Sequence, residues 1–139
     1  MILVDSSAWI EFDRGTGSAT DRRLSELIEQ GGAIAVTEPV LMEVTAGARS
    51  DDDAVRLRDH LLRYRWLGVD VVADFDGAAR IYRRCRSAGV TPLATIDCLI
   101  VAVARRSGAA LLARDVDIER IAEVMGVAVE RPDAASDGT

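Results

Sequence analysis

The chain has 139 residues, of which 49% are hydrophobic and 29% charged, a composition typical of one globular domain of ordinary size. Its net charge of −6 argues against a protein that is basic over its whole surface, although a local arginine patch could still hold phosphates. All 17 basic residues are arginine, so mechanisms that need a lysine, including the P-loop, are excluded.

The sequence gives little support for a membrane span or a zinc site. No apolar run approaches the roughly 20 residues of a membrane span and no secretory signal is visible, which predicts a cytoplasmic protein. Cys85 and Cys98 lack the spacing of a metal motif, and His60, the only histidine, lies in a charged helical stretch. We therefore expect the cysteines to be buried small side chains and the histidine to have no ligand role.

The first acidic residue of interest ends the first predicted strand. Residues 1–4 form a short apolar run that indicates a buried strand, and Asp5 follows at its end. Ligands of open α/β sheets bind at the carboxyl ends of the strands. Asp5, followed by Ser6 and Ser7, is therefore a candidate metal ligand.

Helix and strand patterns alternate along the next fifty residues. The sequence predicts, in order, a short helix over 8–12, a loop over 15–18, an amphipathic helix around 24–28 and a buried strand over 33–36. A helix then starts at 37–39 and stops near Gly47. Glu43 lies beside the apolar face of that helix, where a surface glutamate is the alternative interpretation.

The middle of the chain is predicted to contain two helices with a strand between them. Ser50 and the acids at 51–53 are a helix-capping run rather than a metal site, and their helix is expected to reach Trp66. A third strand is predicted over 69–72. Asp74 or Asp76 is then expected to cap the next helix.

That next helix carries a dense group of four arginines: Arg80, Arg83, Arg84 and Arg86. A solvated helix face is one interpretation of this group. The other is a surface that contacts phosphates of a nucleic acid.

The most apolar helix of the chain begins with an acid in its first turn. Thr95 is the predicted N-cap, the helix ends before Gly108, and Asp97 lies among residues that indicate burial nearly all round. Favourable interaction with the helix dipole could explain Asp97 alone. A buried carboxylate without a partner is costly, however, so Asp97 needs a cation or a donor.

The last part of the chain repeats the opening pattern of an apolar strand followed by an acid. A buried strand is predicted over 109–113, with Asp115 and Asp117 directly after it. A final helix over 118–125 and a short strand over 127–129 follow. Residues from Glu130 onward are expected to be frayed.

The alternation predicts a mostly parallel sheet whose carboxyl edge receives four acids: Asp5, Glu43, Asp97 and Asp115. Four neighbouring carboxylates cannot all stay ionised without cations. Oxygen ligands with open positions suit Mg²⁺ or Mn²⁺, which can activate water and neutralise charge on a phosphodiester.

At these positions the chain resembles the PIN-domain ribonucleases, and in particular the VapC-type toxins of toxin–antitoxin pairs. The resemblance spans nearly the whole length. It rests on four segments in order and at the right spacing: ILVDSSAWI at 2–10, Glu38-Pro39 through Glu43, TIDCLI at 95–100 and LLARDVD at 111–117.

The resemblance implies an α/β fold with one PIN-like nuclease domain over 1–130, a central mostly parallel β-sheet flanked by α-helices, and a polar tail over 131–139. It implies a Mg²⁺-dependent endoribonuclease, with Mn²⁺ as an alternative ion, whose metal ligands and catalytic acids fall on the same four residues: Asp5, Glu43, Asp97 and Asp115. Asp5 and Asp97 would be the firmest ligands, and Glu43 would bind the metal or orient its water.

The resemblance also assigns lesser roles and partners. Ser6 or Ser7 would support the site by hydrogen bonding, and Asp117 would be an accessory acid. The family often has Thr or Ser where this chain has Ala113, and an aromatic residue where it has Ile118. A homodimer, a VapB-type antitoxin that inserts a basic side chain into the acidic pocket, and a structured RNA substrate such as tRNA are further implications.

Two other classes of protein fit parts of the pattern. A phosphatase or phosphotransfer enzyme would also use a strand-end aspartate with Mg²⁺, but it usually needs a lysine, and no second acid follows two residues after Asp5. A catalytically silent module that only docks a partner is the other alternative, against which the presence of all four acids argues.

Overall fold

A four-stranded sheet forms the centre of the molecule in the computed structural model, which describes residues 1–131. The strands are β1 (Ile2–Val4), β2 (Ile34–Val36), β3 (Arg65–Trp66) and β4 (Ala110–Leu112). They lie in the order β3-β2-β1-β4, and every neighbouring pair is parallel. The predicted α/β class with a parallel central sheet is confirmed.

Seven helices flank the sheet within residues 1–131. They are α1 (Ser6–Arg14), α2 (Ala19–Glu29), α3 (Glu38–Ala46), α4 (Asp51–Leu61), α5 (Val71–Ser87), α6 (Thr95–Ser107) and α7 (Val116–Val124). Seven consecutive residues of α6, 98–104, are buried, as its continuous apolar run predicts. Because α6 packs beside the sheet and against α5, its first turn is fixed relative to the strand ends.

The third strand lies elsewhere than predicted. Helix α4 ends at Leu61, not at Trp66, and Arg65–Trp66 pair with β2 as a two-residue edge strand. Residues 69–72 form no strand, because Val71 begins α5 and is 74% exposed. Asp70 caps this helix by accepting from the Ala73 backbone, so the prediction that Asp74 or Asp76 is the cap is wrong.

Two predicted details near the ends of elements are also corrected. Ala94, not Thr95, occupies the N-cap of α6, and no side chain caps that helix. The strand expected over 127–129 is reduced to a single bridge between Leu111 and Val129.

The end of the chain is better attached than expected as far as it is described. Glu130 donates its backbone N–H to the Leu111 carbonyl, and its side chain forms an ion pair with Arg23. The prediction that the chain is frayed from Glu130 onward is therefore wrong for Glu130. Arg131 contacts the carboxylates of Glu119 and Glu123 on α7. The rest of the predicted polar tail, 132–139, lies outside the described residues.

Two local predictions are confirmed, the cap of α4 and the burial of the cysteines. Ser50 caps α4 by accepting from the Asp53 backbone at 3.1 Å, and Cys85 and Cys98 are buried free thiols. His60 packs in an aromatic cluster with Trp9 and Tyr64, where its Nε2 lies 3.1 Å from the Tyr64 hydroxyl. No helix within the described part of the chain is both long and apolar enough to cross a membrane.

Candidate metal centre

Asp5 sits at the carboxyl end of β1, between the sheet and α1. Its backbone N–H donates to Leu112 on β4 at 2.8 Å, and its side chain caps α1. The residue is 4% exposed. A strand that ends directly at a helix cap therefore buries this carboxylate at the edge of the sheet.

The two oxygens of the Asp5 carboxylate have different surroundings. Oδ2 accepts from the Ser7 backbone N–H at 3.1 Å and from the Ser7 hydroxyl at 2.6 Å. Oδ1 is buried and has no hydrogen-bond partner within residues 1–131. Burial raises the pKa of Asp5 despite these bonds, and Asp115 raises it further. An orphaned buried carboxylate oxygen is the position at which a cation would be stabilising.

Ser7 connects the first strand end to the last. Its hydroxyl donates to Asp5 and accepts from the backbone N–H of Arg114 at 2.9 Å, just before Asp115. One side chain thus holds the acid after β1 and the segment after β4 in fixed relation. The hydrogen bonds expected of Ser6 or Ser7 are therefore present, and their support of a metal site stays a prediction.

Glu43 is brought to the same edge by α3. The Ser6 hydroxyl, at the start of α1, donates to Oε1 of Glu43 at 3.1 Å. Partial burial raises the pKa of Glu43, and the charges of Asp5 and Asp115 add to that effect. Glu43 is therefore not a plain surface glutamate: each of the two serines after Asp5 holds one acid.

Asp115 follows β4 and caps α7, accepting from the Asp117 backbone N–H at 2.9 Å. The Asp117 side chain accepts from the backbone N–H of Leu93 at 3.1 Å. Asp117 therefore fastens the loop that leads into α6, which gives this accessory acid a structural contact of its own.

Asp97 lies in the first turn of α6 and differs from the other three acids. Within residues 1–131 its side chain accepts no hydrogen bond from a protein donor. Burial raises its pKa to about 7, and the charges of Asp5, Asp115 and Glu43 contribute. Asp97 therefore lacks a hydrogen-bond donor in the described structure, which leaves a cation as the partner that its apolar surroundings predict.

The structure brings the four acids to one edge, where the charges of Asp5, Glu43 and Asp115 all raise the pKa of Asp97, but it leaves them apart as ligands. As the side chains stand, no three Asp, Glu, His or Cys residues within 1–131 are close enough to hold one ion. Asp5, Glu43 and Asp115 each accept from a nearby donor, and like charges separate without a cation. The oxygen donors and the orphaned Oδ1 of Asp5 nevertheless fit a hard divalent ion.

An ion pair at the rim of the site was not foreseen. The Arg114 side chain lies 3.1 Å from Glu11, which follows Ser7 by one turn of α1. Ser7 and Glu11 are four residues apart, so α1 places them on one face, and both contact Arg114. This spacing was the only indication of the ion pair in the sequence. Of the two departures from the family pattern, Ile118 is fully buried as a core residue, and Ala113 is also buried.

The all-parallel sheet and the acids at its carboxyl edge place the chain in the class of α/β domains with an acidic strand-end site. Residues 2–124 match the family model described as PIN domain, and the chain belongs to this family. Among curated proteins it is 42% identical over 125 residues to Ribonuclease VapC11 of Mycobacterium tuberculosis. A VapC ribonuclease of Mycobacterium bovis matches equally well, and each alignment covers 89% of this chain and 93% of the relative.

Solved structures share the fold at lower identity. The toxin–antitoxin complex VapBC2 from Rickettsia felis, bound to a promoter DNA fragment, aligns with a TM-score of 0.72 at 16% identity over 94% of this chain and 98% of that one. VapC20 from Mycobacterium tuberculosis, a toxin that cleaves the sarcin–ricin loop, aligns with a TM-score of 0.71 at 21% identity over 95% of this chain and its full length.

Proposed function

We propose that this chain is a Mg²⁺-dependent endoribonuclease toxin, for which Mn²⁺ can substitute, and that Asp5, Glu43, Asp97 and Asp115 form its active site. The single observation that carries the proposal is the buried Asp5 Oδ1, which has no partner in the described part of the chain and lies beside three further carboxylates. Because such an arrangement is unfavourable without a cation, a divalent ion is the simplest group that relieves it. The ribonuclease names of the relatives at 42% identity supply the reaction class.

In this mechanism Asp5 and Asp97 are the firmest ligands, and Asp115 completes the set. Bound Mg²⁺ would lower the pKa of a water and neutralise charge on the phosphodiester. Ser7 occupies Oδ2 of Asp5 and leaves Oδ1 for the ion. Ser6 occupies Oε1 of Glu43, which leaves Oε2 to accept a hydrogen bond from the attacking water.

The proposed substrate is a structured RNA such as tRNA, and the proposed partner is a VapB-type antitoxin. Several structural neighbours are toxin–antitoxin complexes, and the closely related mycobacterial proteins are ribonucleases. An antitoxin that places a basic side chain between the acids would relieve the same charge as the metal and so block the site.

We also propose a homodimer, with a second copy of the chain on an apolar groove beside the site. This apolar groove lies between α3, α5 and α6, and Met42, Val71 and Phe75 are the exposed large hydrophobic residues of its lining near α3 and α5. Apolar surface of this kind on a protein this small is typical of an interaction site. We assign the antitoxin to the acidic pocket instead, because a basic side chain there would neutralise the negative charge of the carboxylates.

Cleavage of purified tRNA in Mg²⁺ and in EDTA tests the proposed activity. We expect cleavage that EDTA abolishes, and a loss on the order of a hundredfold or more in Asp5→Asn and Asp97→Asn. Undiminished cleavage by a pure Asp97→Asn protein would remove that residue from the site. Hydrolysis of p-nitrophenyl phosphate without RNA cleavage would favour the phosphatase alternative, and no activity with intact antitoxin binding would favour the silent module.

A further inference from the structure

A second groove, lined by arginines, lies on the opposite side of α5 from the apolar groove. It encloses about 450 Å³ between α5, α6 and the end of α7. We call it the arginine groove. Its walls carry four guanidinium groups, those of Arg80, Arg84, Arg105 and Arg106, and one carboxylate, that of Asp74. Its floor includes small residues such as Gly77 and Ala102.

Three of these arginines have no acidic partner in the described structure. Arg106 is engaged by Asp74, through bonds of 2.9 and 2.8 Å, whereas the side chains of Arg80, Arg84 and Arg105 pair with nothing among residues 1–131. The chain has 23 acids for 17 arginines, so partners are abundant elsewhere. Unpaired cations that collect in one groove of an acidic protein indicate an anionic ligand.

The helix geometry separates the four arginines of α5, which we call the α5 arginines, into two pairs. At about 100° per residue, Arg80 and Arg84 lie on the same stripe as Ala73 and Gly77 and so face the groove. Arg83 and Arg86 lie on the stripe that points away from the core and line no part of it. The alternatives left open for this group thus apply to different members: Arg83 and Arg86 form the solvated face.

The composition of the groove selects the kind of anion. Among the described residues, its lining contains no aromatic side chain on which an unpaired base could stack, and proteins that hold single strands rely on such stacking. Double-helical RNA is instead recognised through its shape and its phosphates. Guanidinium groups on two neighbouring helices provide donors for successive phosphates without contacting a base.

We infer that the arginine groove binds the phosphate backbone of a double-helical stem in the RNA substrate, away from the bond that is cut. The α6 axis advances about 12 Å from Asp97 to Arg105, so a folded RNA can contact both places at once. This inference rests on the proposed ribonuclease function for its choice of RNA. It adds a reason why a folded substrate would be preferred over a single strand.

Binding measured in EDTA separates this inference from the cleavage reaction. The probe is a fluorescently labelled RNA hairpin with a stem of about one helical turn, and the protein is the full chain. We expect Arg80→Gln/Arg84→Gln to weaken binding at least about tenfold at 0.1 M salt and to reduce the salt slope by about two. The matched control is Arg83→Gln/Arg86→Gln, which removes the same charge from the same helix and should change binding less than about twofold.

The outcomes distinguish the possible ligands. Equal losses in the two variants would reduce the effect to general electrostatics and overturn the inference. A groove variant that binds the hairpin normally but loses a poly-glutamate peptide would overturn it in favour of an acidic protein segment. Groove-dependent binding of the hairpin, together with absence of cleavage in Mg²⁺, would support the groove and reject the proposed nuclease activity.

Discussion

The Ser7 hydroxyl contacts the segment after β1, which carries Asp5, and the segment after β4, which carries Asp115. Ser7 therefore contributes to the site although it is not one of the four acids. Removing it leaves Asp5 Oδ2 with one donor and the backbone N–H of Arg114 with no acceptor. We expect Ser7→Ala to weaken Mg²⁺ binding about tenfold, because groups that orient metal ligands typically have effects of this size. The measurement is the Mg²⁺ concentration for half-maximal RNA cleavage. An unchanged value would show that Asp5 needs no support from Ser7.

Asp97 makes the metal-free protein sensitive to pH. Its pKa is about 7 in the folded chain against the ordinary value of 3.8 for an aspartate carboxyl, so the folded state holds the proton more tightly. The free energy of unfolding should therefore fall as pH rises from about 4 to about 7. Asp97→Asn removes this penalty and should stabilise the EDTA-treated protein by ~1–2 kcal/mol at pH 8, a value reduced for partial exposure.

The same variant should gain little at pH 3.5, where the carboxyl is mostly protonated in both states. Chemical denaturation at the two pH values provides the measurement, and Asp59→Asn on the exposed face of α4 is the control. If Asp97→Asn were less stable than the parent chain at pH 8 in EDTA, Asp97 would have a structural role rather than a ligand role.

At the scale of elements, one ion pair fastens α5 to α6. Asp74 is 2% exposed, and Arg106 donates to both of its oxygens and to the Gly68 carbonyl. Burial alone would raise the pKa of Asp74, but the bonds from Arg106 and from the Asp70 backbone outweigh it, and the pKa is lowered. Arg106 is therefore the structural member of the arginine groove.

Arg106→Ala should destabilise the protein by about 2 kcal/mol at pH 7, since it leaves a buried carboxylate unpaired while the guanidinium itself was partly exposed. A lowered folded pKa means that this contribution exists above pH 3.8 and disappears as pH falls through the folded pKa. Urea unfolding at pH 7 and near pH 2 gives the comparison. Arg105→Ala, the neighbouring unpaired arginine, should change stability by less than about 0.5 kcal/mol.

Elements with a continuous apolar run could be predicted from the sequence, and those fixed by backbone pairing could not. β1, β2, β4 and α6 are buried, so their composition reveals them. β3 is a two-residue edge strand with both side chains exposed, and only its backbone bonds to β2 define it. The valines at 71 and 72 suggested a strand, but a helix starts there instead. The Asp70 side chain accepts from the Ala73 backbone N–H, and the Asp70 backbone N–H donates to the Asp74 side chain.

The acids of the site could also be predicted from the sequence, but the hydrogen bonds that position them could not. Asp5 and Asp115 stand directly after buried strands, which parallel topology brings to one edge. The bond from Arg114 to Ser7 joins residues 107 positions apart and depends on how β1 and β4 meet. Likewise, the division of the α5 arginines into groove and solvent pairs needs the position of α6 beside α5.

At the scale of the whole molecule, the two sides of α5 serve different purposes in our proposals: one binds RNA phosphates and the other a second copy. Phe75 is 57% exposed on the apolar side, where a charge would be desolvated in a dimer but harmless in a monomer. We therefore expect Phe75→Asp to convert a dimer into a monomer in light scattering at micromolar concentration. Its thermal stability at high dilution should match that of the parent chain.

Leu62→Asp provides the matched control, since Leu62 is 42% exposed at the end of α4 and lines neither groove. It should leave the dimer intact. RNA binding to the arginine groove should survive in the Phe75→Asp monomer, although two linked grooves would bind a long RNA more tightly than one. A parent chain that is monomeric at every concentration tested would reject the homodimer, and dissociation by both variants would locate the interface elsewhere than the apolar groove.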